Sequence, residues 1–214
     1  MLEFNVDKIT IPLKQHVGGP CQPIVNVGDH VKRGQLVATP NGLGANIHTS
    51  LSGVVEEIND MNIIVKLDKE QSDDYVKLEP TDDHLQRIKD AGIVGVGGAG
   101  FPTGIKLSAK IPGGYVIANA AECEPVLGHN VRYMEEHPEE VVRGLKYIVE
   151  LTGAKEGYIA IKTKYRKALL ALGKACKNEP NISIKILPNM YPAGDERVIV
   201  RETLGVILKP GQLP

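Results

Sequence analysis

The stretch PEEVVRGLKYIVELTGAKEGYIAI, residues 138–161, decides the fold class of this chain. Apolar residues recur over 138–151 at the spacing of one helical face, so a helix is predicted there. Pro138 suits the first turn of that helix, and Gly153 follows its last periodic residue as a C-terminal stop. The apolar run 157–161 then predicts a buried strand. A helix followed closely by a buried strand is typical of an α/β layer built on a parallel sheet.

Outward from this stretch, the chain divides into two parts. Residues 80–214 alternate helical and strand patterns, which predicts an α/β domain. Residues 1–79 carry short β-branched segments between Gly, Pro and Asn breakers, which predicts a small all-β sandwich or barrel. We place the domain boundary at residues 79–80. The predicted strands cover 9–13, 24–27, 35–38, 53–58, 63–67, 115–118, 157–161 and 182–187, and the predicted helices cover 83–91, 138–151, 165–176 and 194–204.

Composition and charge exclude several classes of partner. The 214 residues carry a formal charge of −1, which argues against broad electrostatic binding to nucleic acid or to an anionic membrane. No apolar run approaches the ~18 residues of a spanning helix. The N-terminus shows no secretory signal. We therefore expect a cytoplasmic chain that binds no nucleic acid and does not insert into a membrane.

Cysteine and histidine spacing indicates no metal site. The three cysteines, Cys21, Cys123 and Cys176, form no CxxC pair, and the six histidines show no HxH or HExxH pattern. Cys123 stands between two candidate site acids, and we interpret it as a small apolar filler of a tight loop. The sequence offers no catalytic His, Tyr or Lys constellation, so no catalytic residue is predicted.

The strongest local signal is GVGGAGFPTG, residues 95–104, which contains the GxGxxG spacing of dinucleotide-binding loops. Glycines let a backbone take positive φ and bring N–H groups close to phosphate oxygens. Lys106 follows as a point charge for such a phosphate. On spacing alone, two other interpretations stay open: a tight turn that needs glycines, and a dinucleotide-dependent oxidoreductase in which Glu122 binds a ribose.

The longer run GVGGAGFPTGIKL is far more specific. It resembles the GxGGAGFPTGxKW signature of the flavin-binding subunit of respiratory NADH dehydrogenase, and still more closely the C subunit of Rnf-type electron transport complexes. NAAECEP at 119–125 and YPAGDE at 191–196 resemble two further segments of these proteins, in the same order. Residues 12–55 are similar to the barrel-sandwich domain that precedes the flavin domain in Rnf C subunits. The Rnf-C-like electron transfer protein associated with proline reductase has the same order of segments.

For the fold, the resemblance implies an N-terminal barrel-sandwich hybrid domain of lipoyl/biotinyl type over 1–79. It implies a Rossmann-like FMN-binding α/β domain over 80–214, which is expected to be truncated at its C-terminus relative to the family. A carrier domain presents a modifiable Lys on the turn between its two hairpin pieces, and the stretch 38–52 contains no Lys. A structural or docking role is therefore favoured for the first domain.

The resemblance also implies an FMN site that is open to NADH. Four glycines would face the flavin phosphate and ribityl chain, and Lys106 would neutralise the phosphate. Phe101 would stack on the adenine of NADH, and Asn119 would hydrogen-bond the flavin. The four glycines are Gly95, Gly97, Gly98 and Gly100. The residues near the flavin ring and the nicotinamide ribose are Glu122 and Glu124, and those on the opposite wall are Gly194, Asp195 and Glu196.

Two positions depart from the family pattern. Leu107 stands where the respiratory subunit has an aromatic residue, and Asp195 replaces a Gly or Glu. Family members continue with an Asn-rich loop that completes the phosphate site, a β-grasp domain and cysteine clusters for [4Fe–4S] centres. Iron–sulfur clusters are therefore expected only in such a further region or in a partner.

For function, the resemblance implies a flavin-dependent electron-transfer subunit. It would pass electrons from NADH through FMN to a redox partner protein, in an Rnf-type complex or a proline reductase system. Such a subunit would lie at the inner face of the cell membrane through its partners. The alternative is a non-enzymatic docking or assembly module whose flavin site is incomplete.

Overall fold

The computed structural model describes residues 6–95, 100–124 and 126–212. The chain forms two compact units, Met1–Ala109 and Lys110–Pro214. The strands are β1 (Lys8–Pro12), β2 (Cys21–Pro23), β3 (His30–Val31), β4 (Leu36–Pro40), β5 (Ile47–His48), β6 (Gly53–Ile58), β7 (Asn62–Leu67), β8 (Tyr115–Ala120), β9 (Glu156–Lys162) and β10 (Ile182–Leu187). The helices are α1 (His84–Asp90), α2 (Thr103–Lys106), α3 (His129–Glu136), α4 (Pro138–Thr152), α5 (Arg166–Ala175) and α6 (Glu196–Leu204).

The first unit contains two antiparallel sheets that share one apolar core. One sheet has the order β1-β7-β6-β3 and the other the order β2-β4-β5. Alternate residues of both sheets point into the core, as expected for strands that bury one face. Its fully buried members include Val31, Val37, Ile63 and Val65. The all-β prediction for this part of the chain is confirmed.

The predicted strand 24–27 is wrong. These β-branched residues enter a turn instead, in which the amide of Asn26 donates to the Asp29 carboxylate at 2.7 Å. The amide of Asp29 donates back to the Asn26 carbonyl at 3.1 Å. A turn closed by the Asp29 side chain thus competes successfully with the strand propensity of Ile24 and Val25. The strand in this part of the chain is β2, which begins three residues before Ile24.

The second unit is a three-stranded parallel sheet with helices on both faces. The order is β10-β9-β8, so β9 is central, and its residues from Gly157 to Lys162 are all buried. Ile159 and Ile161 pack with α4 and α5, whereas Ala160 packs toward α6. The α/β prediction is therefore confirmed.

Helix α4 begins and ends as its sequence predicts. Pro138 occupies its first turn, and Gly153 caps it with a left-handed φ of 70°. The helix packs so closely on the sheet that a Cβ at Gly157 would lie 2.9 Å from Val149 Cγ2. Within the described residues, no helix is long and apolar enough to cross a membrane.

Candidate functional site

A cavity of about 380 Å³ opens at the carboxyl end of β8 in the second unit. In parallel sheets, ligand sites form where loops leave the carboxyl ends of strands. One wall is the loop that follows β8, and the other is the loop between β10 and α6. The lining residues are Asn119, Ala120, Ala121, Glu122, Cys123, Glu124, Asn130, Tyr191, Pro192, Gly194 and Asp195. The structure thus gathers the two sequence segments 119–124 and 191–195 around one cavity.

The two walls are fastened together at Gly194. Its carbonyl accepts a hydrogen bond of 2.9 Å from Asn119 Nδ2, and its amide donates to Cys123 Sγ at 3.1 Å. A Cβ at this position would lie 2.6 Å from Cys123 Sγ and 2.9 Å from the Ala121 carbonyl oxygen. Only glycine permits this approach. Cys123 is therefore half-buried and hydrogen-bonded, rather than an apolar filler.

Glu122 is held as a carboxylate on the first wall. Its side chain accepts from the Glu124 amide at 3.1 Å and from Asn130 Nδ2 at 3.0 Å. Partial burial acts to raise the pKa of Glu122. Hydrogen bonds from the Glu124 backbone, Asn130 and the Cys123 backbone, together with the charge of His129, outweigh burial and lower that pKa. Glu124 is exposed and lines the same cavity.

Asp195, which replaces a Gly or Glu of the family pattern, has a structural role at the start of α6. It caps α6, and its Oδ1 accepts from the amides of Arg197 at 3.0 Å and Val198 at 3.1 Å. It also lines the cavity. Glu196 is the first residue of α6 and is not among the described lining residues.

Sequence reasoning missed two residues beneath the first wall. Lys162 ends the central strand β9 and is only 4% exposed. Its Nζ donates to the Glu122 carbonyl at 3.1 Å and lies 3.6 Å from Cys123 Sγ. Tyr165 donates its hydroxyl to the same carbonyl at 3.1 Å. A polar residue at the carboxyl end of a buried central strand is the signal that could have singled out Lys162.

Lys162 and Tyr165 also line a second, larger cavity of about 870 Å³. Its lining includes residues of α3 and of the segment 162–165 that precedes α5. The walls carry apolar residues and charges of both signs. The lining residues are Cys123, Glu124, Leu127, Gly128, Val131, Arg132, Glu135, Lys162, Lys164, Tyr165, Asn189, Met190 and Tyr191.

The glycine-rich stretch, residues 95–104, belongs to the first unit. Residues 94–95 and 101–102, on either side of its glycines, pair with each other and form a neck. Val94 pairs with Pro102, and the Gly95 amide donates to the Phe101 carbonyl at 3.0 Å. Gly97 and Gly98 lie outside the described residues. Gly100 has a φ of 65°, and a Cβ there would lie 3.2 Å from the Cα of His16. The positive φ and the close approach to His16 therefore require glycine at position 100.

The side chains that follow the neck differ in exposure. Phe101 is 41% exposed, whereas Leu107 is only 6% exposed and packs inside the unit. Lys106 is exposed at the end of the four-residue helix α2. A conventional dinucleotide fingerprint needs a strand before the glycines and a long helix after them. The described residues show a single bridge at Val94 and the short α2 instead, which disfavours that interpretation.

His16, which is almost fully buried, links the neck to the β-sheet part of the first unit. His16 Nε2 lies 3.2 Å from the Ala45 amide nitrogen, and His16 Nδ1 lies 3.0 Å from the Val17 carbonyl oxygen. The Val17 amide in turn donates to the Gly100 carbonyl at 3.3 Å. Residues 41–46, which form the turn within the lysine-free stretch 38–52, thus contact His16 through Ala45.

Comparison with known proteins identifies the family. Residues 88–214 match the Nuo51 FMN-binding domain, which is more than half of the chain. The chain belongs to the Nuo51 FMN-binding domain family. Residues 4–76 match the RnfC barrel sandwich hybrid domain. The predicted pairing of a barrel-sandwich hybrid domain with an FMN-binding domain is confirmed at this level. The boundary at residues 79–80 stays a prediction, and the first compact unit extends past it to Ala109.

Individual relatives agree with both matches. The chain is 35% identical over 228 residues to the C subunit of the proton-translocating ferredoxin:NAD(+) oxidoreductase complex of Clostridium ljungdahlii, covering 97% of this chain and 50% of the relative. It is 34% identical over 229 residues to the C subunit of the Na(+)-translocating ferredoxin:NAD(+) oxidoreductase complex of Acetobacterium woodii, covering 97% and 51%. The chain thus spans about half the length of these curated relatives.

A solved structure shares the fold of much of the chain. It is the crystal structure of an NAD+-reducing [NiFe]-hydrogenase in the H2-reduced state, with 26% identity and a TM-score of 0.50. The similarity covers 60% of this chain and 24% of the hydrogenase chain.

Proposed function

We propose that this chain is the flavin-binding part of a subunit that passes electrons from NADH through FMN to a redox partner. The observation that carries the proposal is the cavity at the carboxyl end of β8, where segments 119–124 and 191–195 meet inside a match to the Nuo51 FMN-binding domain. When bound, FMN supplies the exchange between hydride and single-electron chemistry that such a relay requires. We classify the second unit as Rossmann-like and the first as lipoyl/biotinyl-like.

The chemistry of the cavity suits the flavin ring and ribityl chain. Glu122, Glu124 and Asp195 contribute acceptors that can take hydrogen bonds from a ring N–H or from ribityl hydroxyls. Its volume of about 380 Å³ is in the range of small-molecule sites. Asn119 is proposed to hydrogen-bond the flavin, although its Nδ2 already donates to Gly194 and its Oδ1 accepts from the Ala121 amide at 3.1 Å.

The same chemistry disfavours a phosphate in this cavity. Its described lining includes three carboxylates and no Lys or Arg, so a dianion would be repelled there. The phosphate therefore needs a cation from elsewhere. Lys106 keeps this role as a proposal, together with Gly95, Gly97, Gly98 and Gly100, on the strength of the sequence resemblance.

NADH is the proposed electron donor. Phe101 is exposed enough to stack on adenine, whereas buried Leu107 cannot form the second half of such a stack. Glu196 is proposed to act on the wall formed by the start of α6.

The relatives named above are C subunits of ferredoxin:NAD(+) oxidoreductase complexes, which supports an ion-translocating, membrane-associated complex as the partner. The subunit is proposed to attach peripherally to the cytoplasmic face of the cell membrane through its partners. Iron–sulfur clusters are proposed to lie in a partner or in a further region. A proline reductase partner rests on resemblance alone.

A docking or assembly module remains the second candidate. The specific observation in its favour is the first unit, whose turn 41–46 carries no Lys and packs against the end of α1 through Asn46 Nδ2 and the Asp90 carbonyl at 3.3 Å. A domain without a carrier function is free to serve assembly.

Titration with FMN, followed by anaerobic NADH, tests the proposal and separates the candidates. FMN binding with bleaching by NADH supports the electron-transfer function. FMN binding without bleaching confines the proposal to flavin binding and points to the buried Leu107. Failure to bind FMN would contradict the flavin function of this chain and favour the docking module.

A further inference from the structure

One backbone atom of the loop that carries Glu122 and Glu124 holds two side-chain donors. The carbonyl oxygen of Glu122 accepts two hydrogen bonds, from Lys162 Nζ and from the Tyr165 hydroxyl, both at 3.1 Å. A carbonyl oxygen has two lone pairs, so this acceptor is fully used. The side-chain carboxylate of Glu122 makes separate contacts and accepts hydrogen bonds from the Glu124 amide and from Asn130 Nδ2.

Lys162 is an unusual donor for this purpose. It is 4% exposed, and burial of an ammonium is unfavourable unless strong partners surround it. Within the described residues, no carboxylate lies within ion-pair distance of its Nζ, whose contacts are the Glu122 carbonyl and Cys123 Sγ. The amino group of a buried lysine thus holds this loop. Tyr165 sits immediately before α5 and reaches the same oxygen from a second element.

We propose that Lys162 and Tyr165 are positioning residues, which set the direction of the Glu122 carboxylate by anchoring its backbone carbonyl. The anchor keeps the turn 122–124 closed, so that the Glu124 amide reaches the Glu122 carboxylate. Its importance for flavin binding rests on the proposed function, but the positioning itself can be measured without any ligand.

The ionisation of Glu122 reports the position of the loop. Its carboxylate is stabilised by the Glu124 amide, Asn130 and the Cys123 backbone, with His129 contributing from α3. The other charged groups around it are Glu124 on its own loop, Asp195 on the facing wall and Lys162 beneath. If the anchor is removed, the Glu124 amide is released, and the pKa of Glu122 returns toward its ordinary value.

The decisive variant is Tyr165→Phe, because it removes one hydroxyl without changing the charge. We expect the pKa of Glu122, followed by NMR of its side-chain carboxyl carbon in the full chain, to rise toward its ordinary value. Lys162→Met should also raise it, because the second hydrogen bond to the Glu122 carbonyl is lost. Lys162→Arg should restore most of the original value.

Matched controls remove a tyrosine hydroxyl and a lysine amino group at positions away from the loop. Tyr75→Phe and the exposed Lys174→Met should leave the Glu122 titration unchanged. An unchanged titration in folded Tyr165→Phe would overturn the proposal, and this variant decides the matter even if Lys162→Met does not fold. FMN affinity is measured separately: if the wild-type chain binds no FMN, the proposed function fails, while the Glu122 titration still tests the positioning.

Discussion

The side-chain amide of Asn119 donates to the carbonyl of Gly194 at 2.9 Å, across 75 residues of sequence. The opposite side of the same glycine is held by Cys123, whose Sγ accepts from the Gly194 amide. Two loops that leave different strands are thereby joined at one residue. The two walls of the cavity at the end of β8 are consequently held to each other at Gly194.

Gly194→Ala tests whether the contact is as tight as the structure shows. The new Cβ would meet Cys123 Sγ at 2.6 Å and the Ala121 carbonyl at 2.9 Å, and a backbone oxygen cannot move aside cheaply. We expect a loss of about 1–3 kcal/mol in the free energy of unfolding, measured by urea denaturation, together with weaker FMN binding.

Gly173→Ala is the matched control for that change. Gly173 lies within α5, and nothing surrounds the position of its Cβ within 4 Å. Alanine there should stabilise the chain by about 0.5–1 kcal/mol, because glycine is a poor residue inside a helix. Equal stabilities for the two variants would show that the approach at Gly194 is looser than described.

Glu122→Gln should change how stability depends on pH. The pKa of Glu122 is lower in the folded chain than its ordinary value of 4.5. A carboxyl with a lowered folded pKa contributes stability above its ordinary pKa, and this contribution is lost as pH falls through the folded pKa. We expect the wild type to exceed Glu122→Gln in stability at pH 6–7 by a margin that shrinks below about pH 4.5.

Urea denaturation at several pH values between 3 and 7 measures that margin. Glu135→Gln, at an exposed position of α3, is measured alongside as the control. A margin for Glu122→Gln that stays constant across the range would contradict a lowered pKa.

Lys106→Ala tests the proposed phosphate contact. Loss of one charge-assisted hydrogen bond costs about 1.5–3 kcal/mol, or roughly 10- to 150-fold in FMN affinity. Lys106 is exposed, so folding should be unaffected. Fluorescence titration with FMN and with riboflavin measures the effect, since only FMN carries the phosphate. An equal loss for both ligands, or the same loss in the exposed Lys77→Ala, would remove Lys106 from the phosphate site.

Phe101→Leu tests the proposed stack on adenine. The side chain is 41% exposed, so its replacement should change stability by less than about 0.5 kcal/mol. An aromatic stack contributes about 0.5–1.5 kcal/mol, so the concentration of NADH for half-maximal flavin reduction should rise roughly two- to tenfold. FMN affinity should be unchanged. If NADH reduces both proteins alike, adenine does not contact Phe101.

The predicted elements differ in outcome for identifiable reasons. Helix α4 was predicted nearly to the residue, because Pro138 and Gly153 mark its ends and its apolar stripe is strong. Helix α3 was missed, since Met134 is its only buried residue and five of its eight residues are polar or charged. The strand predicted at 24–27 failed because the Asp29 side chain satisfies a backbone donor in a turn.

The site shows the same division. The pairing of segments 119–124 and 191–195 was expected from resemblance, and the structure brings both to one cavity. Lys162 was not expected to matter. In the sequence it is one of several lysines after a strand, and only its burial beneath the Glu122 carbonyl distinguishes it.

By itself, the sequence determined the alternation of helices and strands, the all-β character of the first part and the family. These properties depend on local periodicity, turn residues and contiguous motifs, which are readable one segment at a time. The tertiary structure decided which backbone atoms meet: the carbonyl of Glu122 with Lys162 and Tyr165, and Gly194 with Asn119 and Cys123. Such contacts join residues 40 to 75 positions apart, and their hydrogen bonds depend on distances and directions that no local pattern encodes.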